Sequence, residues 1–323
     1  MINEIINQEL HELLKAHRPV IRNIVRQALR KEIRFALEEE LKIQHSNDPE
    51  PIPAAPVSTP KESNGSEEKG ALYLYAITES QKSHTFGPIG IDGHEVSLIN
   101  FKNLGAVVHH GPPEPYASSD EAVVRTWLLS HQGVIDAAWN HCKTILPVSF
   151  DTLIASSEME SAKEAMEKWL QGSEELYLSK LKSVKDKAEY GVQIFWDTSS
   201  MLTRITQEHE EIQTLTQKCQ EASRGTGYLM RQKLESLVKK ELEKRADLCF
   251  RDFFERIKPH VSEIKVEKTK KGEPPSRQML MNLACLLPQS QSNHLGEVLE
   301  DIEKSDGFSV HYTGPWPPYS FAS

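Results

Sequence analysis

The sequence predicts an α+β protein in which two compact units follow an N-terminal helical extension and a proline-rich linker. The 323 residues are about twice the roughly 150 residues of a typical domain. From residue 71 onward, short strand-like apolar segments alternate with longer segments of helical spacing. Between residues 46 and 70 the composition changes abruptly, because five prolines stand among Ser, Asn, Gly and Glu residues. These observations divide the chain into residues 1–45, 46–70, 71–188 and 189–323.

Residues 1–45 are predicted to form an amphipathic helical extension with a break at Pro19. Its first apolar residues have helical spacing: they are Ile2, Ile5, Ile6, Leu10, Leu13 and Leu14. Arginines at intervals of four residues give it a cationic edge: they are Arg18, Arg22, Arg26, Arg30 and Arg34. The apolar side of this helix needs a partner, which is the body of the same chain, a second copy of the chain, or another protein.

Residues 46–70 are predicted to be a disordered linker. Their Pro/Ser/Glu-rich composition buries too little apolar surface to offset the entropy of ordering. Their prolines favour extended polyproline geometry. The linker therefore separates the N-terminal extension from the two compact units.

Residues 71–188 predict a first α+β unit. Segments rich in aromatic and branched residues predict strands at Leu72 to Ile77, His94 to Ile99, Leu104 to His109 and Thr144 to Phe150. A helix that carries His131 is expected after an N-cap at Ser118 or Ser119. A helical stretch from about residue 157 to residue 184 completes the unit.

Residues 189–323 predict a second α+β unit. Strands are expected at Tyr190 to Trp196, Val261 to Lys268, Met279 to Leu287 and Phe308 to Thr313. Helices are expected at 199–221, 226–257 and 292–305, the first two forming an antiparallel pair. This order of β, helical pair, β, β, α, β is typical of a ferredoxin-like split βαβ unit.

Charge and hydropathy argue against two classes of partner. The net charge of −9 is unfavourable for a general polyanion-binding surface, so we expect no nucleic acid partner. The longest apolar run, Met279 to Leu287, is shorter than the about 20 residues that cross a bilayer as a helix. No secretory signal is visible at the N-terminus. We therefore expect a cytoplasmic protein without a membrane partner.

Catalytic and metal sites receive no support from the sequence. The glycine spacings of nucleotide-binding and nucleophile motifs are missing from it. His131 and His141 lie nearly three helical turns apart, too far to share one zinc ion. The four cysteines are scattered. We therefore expect no catalytic residue, no cofactor and no metal, and we interpret His131 as a core or interface imidazole, with a general base as the alternative.

The C-terminal segment Gly314-Pro315-Trp316-Pro317-Pro318-Tyr319-Ser320-Phe321 is the most unusual stretch of the chain. Its three prolines stiffen the backbone, so its aromatic side chains lose little entropy when they dock. One interpretation is that they bind a groove on the first unit and latch the two units together. The alternative is a groove on a partner protein.

Four separated stretches carry a resemblance to a known family. They are Leu-Tyr-Leu-Tyr-Ala-Ile at 72–77 with Tyr73 and Tyr75, the His131 helix that leads into 145–150 with Pro147 and Phe150, the helix start at 225–229 with Gly227 and Tyr228, and the segment Gly314, Pro315, Trp316, Pro317, Pro318, Tyr319 and Phe321. In these residues the sequence resembles the gas vesicle protein F/L family (GvpF/GvpL). Two positions depart from the family pattern, since Ser149 replaces an Arg and Asp151 replaces a Gly.

The resemblance implies a non-enzymatic accessory or assembly protein for gas vesicle formation, with a modified ferredoxin-like first unit. The implied partners are the small hydrophobic shell protein (GvpA-type) and other gas vesicle accessory proteins, and the implied location is the gas vesicle. Whether the protein also becomes a minor vesicle component stays open. We hypothesise that residues 71–188 bind the shell protein and that the helical pair at 199–257 contacts accessory proteins. The alternative is a general coiled-coil scaffold or adaptor unrelated to gas vesicles.

Overall fold

The structure, a computed structural model, describes residues 70–221, 224–269 and 277–322. The predicted N-terminal extension and nearly all of the predicted linker lie outside these residues. Within them the fold is mixed α+β with two antiparallel sheets. The division of the chain into the four predicted ranges stays a prediction.

The first sheet contains strands β1 Ala71–Glu79, β2 His84–Gly87, β3 Val96–Phe101, β4 Leu104–Gly111, β5 Leu146–Pro147 and β6 Leu153–Ala155. Its strand order is β2-β3-β4-β1-β5, and β6 also pairs with β1. The pairings of β1 with β4, β5 and β6 are antiparallel. The central strand β1 is buried from residue 71 to residue 78 because other elements cover both faces of the sheet.

Three helices pack on the first sheet: α1 Glu121–Cys142, α2 Ala162–Gln171 and α3 Glu174–Val184. Helix α1 covers one face with Val134, Ile135 and Ala138, and α2 and α3 cover the other face. Helix α1 starts at Asp120, whose carboxylate accepts the Ala122 N–H. The predicted N-cap at Ser118 or Ser119 is therefore wrong, since the carboxylate of Asp120 accepts a backbone N–H of the first turn.

The second sheet contains strands β7 Lys187–Asp197, β8 Glu263–Val266, β9 Arg277–Pro288 and β10 Phe308–Trp316, in the order β10-β7-β9-β8. All of its pairings are antiparallel. Its helices are α4 Thr198–Glu208, α5 Glu210–Glu221, α6 Arg224–Ile257 and α7 Ser292–Glu303. The end of α6 and the inner face of α7 bury one face of this sheet. The elements follow one another in the predicted order.

Several predicted elements differ from those observed. The helix predicted at 199–221 is two helices, because His209 has extended backbone angles (φ −107°, ψ 103°) and ends α4. The helical stretch predicted at 157–184 is broken between α2 and α3 at Gly172. The strand predicted from Thr144 to Phe150 is reduced to the two residues of β5, and residues with positive φ, Lys143 and Asp151, turn the chain beyond both ends of the predicted strand. Strand β2 was not predicted.

The two units share one hydrophobic core. The face of the first sheet that carries Leu72 and Leu74 packs against α2, α3 and residues of the second unit. Those residues are Ala284 and Leu286 of β9 and Phe321 near the C-terminus. Separation of the units would therefore expose apolar surface on both sides.

Replacing Gly314 should test how tightly the end of β10 lies against β7. Gly314 has φ +121°, and a Cβ there would lie 2.9 Å from the Glu189 carbonyl oxygen and 2.9 Å from Tyr190 Cδ1. Gly314→Ala should lower the free energy of unfolding by about 1–3 kcal/mol, because the new side chain is strained and crowded. Gly296→Ala in α7, where a Cβ meets open space, should be neutral or raise it by up to about 1 kcal/mol. Denaturant unfolding that finds equal stability for the two variants contradicts this packing.

Candidate functional site

Tyr73 and Tyr75 lie on the face of β1 that meets α1. Side chains alternate between the faces of a strand, so Leu72 and Leu74 point to the opposite core. Both tyrosines are fully buried. Each phenol therefore needs hydrogen-bond partners inside the protein.

Tyr73 connects three elements through its hydroxyl. The oxygen accepts the Asp151 backbone N–H at 2.7 Å and lies 3.0 Å from His131 Nδ1. The interpretation of His131 as a buried imidazole on the inner face of α1 agrees with its 5% exposure.

Tyr75 makes the same kind of contacts as Tyr73, with a second histidine. Its hydroxyl accepts the Ile91 N–H at 3.1 Å and lies 2.7 Å from His109 Nδ1. The other ring nitrogen, His109 Nε2, lies 3.4 Å from the Tyr116 hydroxyl. The His109 ring also stacks on Tyr73, with centroids 5.0 Å apart. We call Tyr73, Tyr75, His109, Tyr116, His131 and Phe150 the Tyr–His cluster.

Burial sets the protonation of the Tyr–His cluster. It raises the pKa of both Tyr73 and Tyr75 far above the ordinary value of a phenol and raises the pKa of Tyr116 to about 12. Burial, reinforced by the neighbouring His94 and His110, lowers the pKa of His109 to about 3. At neutral pH the three phenols keep their protons and His109 is uncharged. The cluster therefore anchors α1 and the turn after β5 to the sheet through hydrogen bonds.

The chain ends in a segment that crosses the β5 edge of the first sheet, and we call residues 316–322 the C-terminal clip. Pro317, Pro318 and Phe321 are buried. Tyr319 packs against the core under α1, whereas Phe321 enters the core under α2 and α3. The short helical turn Tyr319–Phe321 contacts β5 between them. The clip thus places one aromatic ring on each face of the sheet.

Charged side chains from both units hold the C-terminal clip. The Glu189 carboxylate on β7 is 3% exposed and accepts the Ser320 N–H at 2.6 Å and the Ser320 hydroxyl at 2.8 Å. Lys265 on β8 donates to the Ser320 carbonyl at 2.7 Å. Lys180 on α3 of the first unit donates to the Ala322 carbonyl at 3.2 Å. Hydrogen bonds to ionised groups are stronger than those between neutral groups, so the clip is tied to both units.

Most of the predicted family-motif residues lie in or next to the Tyr–His cluster and the C-terminal clip. Pro147 is buried on β5, paired with Ala76 and next to the clip, and Gly314 and Pro315 form the exposed bend before Trp316. Two residues lie elsewhere, in the first turn of α6. The Gly227 carbonyl accepts a hydrogen bond from Arg231 Nε at 3.1 Å, and Tyr228 is 61% exposed.

Sequence reasoning missed His109, Tyr116 and Glu189. His109 was predicted only as the last residue of a strand, because alternation along β4 gives the face on which it lies and not its place opposite Tyr73 in the β1–β4 register. Glu189 gave no local signal, because its partner Ser320 is 131 positions away.

Neither a metal-binding group of side chains nor a membrane-spanning helix occurs in the described part of the chain. Across 70–221, 224–269 and 277–322, no three His, Cys, Asp or Glu side chains are grouped so that they could hold a metal ion. In the same part of the chain, no helix is long and apolar enough to cross a membrane.

Comparisons with known proteins cover both units. Residues 71–323 match the family model described as gas vesicle synthesis protein GvpL/GvpF. Gas vesicle protein L1 of Halobacterium salinarum is 30% identical over 258 residues, which are 77% of this chain and 89% of that protein. Gas vesicle protein L of Haloferax mediterranei is 29% identical over 238 residues, which are 72% of each chain.

A solved structure shares the fold. The crystal structure of the gas vesicle protein GvpF from Anabaena sp. PCC7120 is similar with a TM-score of 0.66 and 21% sequence identity. The similarity covers 79% of this chain and 98% of that chain. At this level of identity the likeness concerns the mixed α+β architecture.

Truncating the buried aromatic ring of the C-terminal clip should destabilise the protein. Phe321→Ala should lower the free energy of unfolding by about 3–5 kcal/mol, because it leaves a cavity in the core shared by both units. Tyr228→Ala, which shortens an exposed ring, should change it by less than about 0.5 kcal/mol. Equilibrium urea unfolding measures both variants. If they are equally stable, Phe321 does not pack as described.

Acidification should destabilise the protein through His109. Because the folded-state pKa of His109 is lowered to about 3, between pH 6.5 and pH 3 the unfolded chain binds a proton at this residue and the folded chain does not. The free energy of unfolding is therefore retained above pH 6.5 and falls below it, by up to about 1.4 kcal/mol per pH unit from this residue. His109→Gln should remove this contribution, so the fall in the free energy of unfolding should become less steep by up to about 1.4 kcal/mol per pH unit. An exposed histidine on α7 provides the control, since His294→Gln should keep the wild-type slope, and an unchanged slope in His109→Gln would refute the assignment.

Proposed function

The chain belongs to the GvpL/GvpF family of gas vesicle synthesis proteins, and from this premise we propose that it is a non-enzymatic accessory protein of gas vesicle assembly. The match over residues 71–323 carries this proposal, because it spans both units. It also argues against the alternative of a scaffold unrelated to gas vesicles. The polar side chains of the Tyr–His cluster hydrogen bond to one another and to the backbone, which supports a structural use for them.

We propose that the partner of the first unit is the small, hydrophobic gas vesicle shell protein. A shell subunit must hide a strongly apolar surface before it polymerises, so an assembly protein needs a surface that shields or orients it. The β5 edge of the first sheet is covered by the C-terminal clip. The opposite edge is β2, and it is the strand edge we assign to shell-protein binding.

Apolar side chains lie around that edge on the first unit. Ile89 in the loop after β2 and Val123 and Leu129 on α1 are 36–39% exposed. The loop and α1 are joined by a hydrogen bond of 2.8 Å from Trp127 Nε1 to the Asp92 carboxylate. We propose that these residues and β2 form one surface that contacts the shell protein.

We propose that the helical layer of the second unit contacts other gas vesicle accessory proteins. Helix α6 has 34 residues, which is about 50 Å at 1.5 Å per residue. Its inner side packs on α4 and α5. Its outer side exposes Tyr228, Leu229 and Leu248, so a second apolar surface lies apart from the first sheet.

We also propose a ferredoxin-like relationship for the second unit and a latch role for the C-terminal clip. Strand order β10-β7-β9-β8, with helices after β7 and β9, supports the split βαβ relationship. The first unit has β2 and β3, and no α-helix, between β1 and β4, so it fits only a modified form. The bonds of Lys180, Lys265 and Glu189 to the clip support the latch over a partner's groove. A latch would keep the two binding surfaces in a fixed relation.

Paired surface variants of the full-length protein should separate the two proposed partners. Ile89→Asp/Val123→Asp/Leu129→Asp should weaken capture by the immobilised shell protein, because three charges would be placed in the apolar contact. Leu202→Asp/Leu248→Asp on the helical layer changes side chains of similar or greater exposure and should leave shell-protein capture unchanged.

The same two variants should show the opposite result when the other accessory proteins are immobilised instead of the shell protein. The variant on the helical layer should lose capture by the accessory proteins, and the variant on the first unit should keep it. Equal shell-protein capture by wild type and the first variant, with circular dichroism showing both folded, would overturn the assignment of the first unit.

A further inference from the structure

Helices α2 and α3 and the segment just before α2 expose three large apolar side chains on the outside of the first unit. Met159, Trp169 and Leu176 are 97%, 40% and 53% exposed, and we call them the α2–α3 patch. The Trp169 ring is braced by Tyr177, with centroids 5.4 Å apart. An ion pair of 2.7 Å between Glu160 and Lys168 ties the segment that carries Met159 to the last turn of α2. Neither core of the first unit includes these three side chains.

The undescribed N-terminal part of the chain enters the fold beside this patch. The first described residue, Gly70, accepts the Ser156 N–H at 2.9 Å through its carbonyl. Ser156 stands five positions before Ser161, the N-cap of α2. Helix α2 itself has ten residues, or about 15 Å. A linker as long as residues 46–69 reaches up to roughly 70 Å when extended, so residues 1–45 can readily return to the patch.

The charges of the two segments are complementary. Residues 156–176 contain six acidic and two basic residues. Residues 15–34 contain seven basic residues and one acidic residue, Glu32. Residues 2–14 immediately before this basic stretch carry an apolar stripe of isoleucines and leucines. Residues 2–34 therefore combine an apolar stripe with a basic stretch, and residues 156–176 combine exposed apolar side chains with acidic residues, so the two segments are complementary.

We propose that residues 1–45 fold back and cover the α2–α3 patch of their own chain. The apolar stripe of residues 2–14 contacts Met159, Trp169 and Leu176, and the arginine row lies along the acidic residues of α2 and α3. The family match begins at residue 71, so this contact belongs to the extension that precedes the family body. The proposal is independent of the assembly role, and either can fail alone.

Zero-length cross-linking of the full-length protein tests this contact. A carbodiimide joins Lys ammonium groups to carboxylates that touch them, and Lys15 and Lys31 lie in the basic stretch. Mixing ¹⁵N-labelled and unlabelled chains distinguishes links within a chain from links between copies. We expect links within one chain from Lys15 or Lys31 to Glu167, Glu174 or Glu175, and their loss in 1 M salt, where the Debye length is about 3 Å.

Matched variants separate the apolar contact from general effects of charge. Leu10→Asp/Leu13→Asp should abolish the links, whereas Gln8→Asp/His11→Asp adds the same residues on the opposite side of the predicted helix and should keep them. Trp169→Ser/Leu176→Ser should abolish the links, and Leu229→Ser/Leu248→Ser, on α6, should keep them. Links found only between labelled and unlabelled chains would overturn the proposal in favour of a second copy. A lack of links between residues 1–45 and residues 156–176 would also overturn it.

Discussion

Burial of both faces of the first sheet is the constraint on which the rest of the structure depends. Strand β1 is buried along residues 71–78, so each face needs its own apolar cover. Helix α1 supplies one cover, and α2 and α3 supply part of the other. The remainder comes from Ala284, Leu286 and Phe321 of the second unit. The first unit therefore completes its core only with the second unit in place.

The buried polar groups follow from the same constraint. Fully buried phenols on β1 are stable only with internal partners, and the Tyr–His cluster provides them from α1, β4 and two turns. Likewise, the buried Glu189 carboxylate is stabilised by the amide and hydroxyl of Ser320. Each network connects elements that are far apart in the sequence. Their geometry is therefore fixed by the tertiary fold and in turn holds the fold together.

Local patterns predicted most elements and few of the contacts. The strands and long helices of both units follow from alternation and helical spacing, so their order was predictable. The break at His209 depends on the backbone angles of that one residue, which periodicity does not report. The α-helical cap at Asp120 was one residue from its predicted place, within the usual uncertainty of helix ends.

The candidate site was partly predictable for a physical reason. The prolines of the C-terminal segment predicted a stiff backbone that displays aromatic side chains. Binding of these side chains to a groove on the same chain was one of the two interpretations. The lysine and glutamate that bind its backbone could not be predicted, because a single charged residue on a strand says nothing about a partner over a hundred positions away. Gly227 and Tyr228 lie apart from the clip, on α6, which sequence similarity alone could not reveal.

Two apolar surfaces on units that share one core form the physical basis of the proposed assembly role. Cross-linking mass spectrometry of the full-length protein during gas vesicle assembly tests this account most directly. The account predicts links to the shell protein from residues 71–188 and links to other accessory proteins from residues 198–257. Shell-protein links concentrated in residues 198–257, or their complete lack while vesicles form, would contradict it.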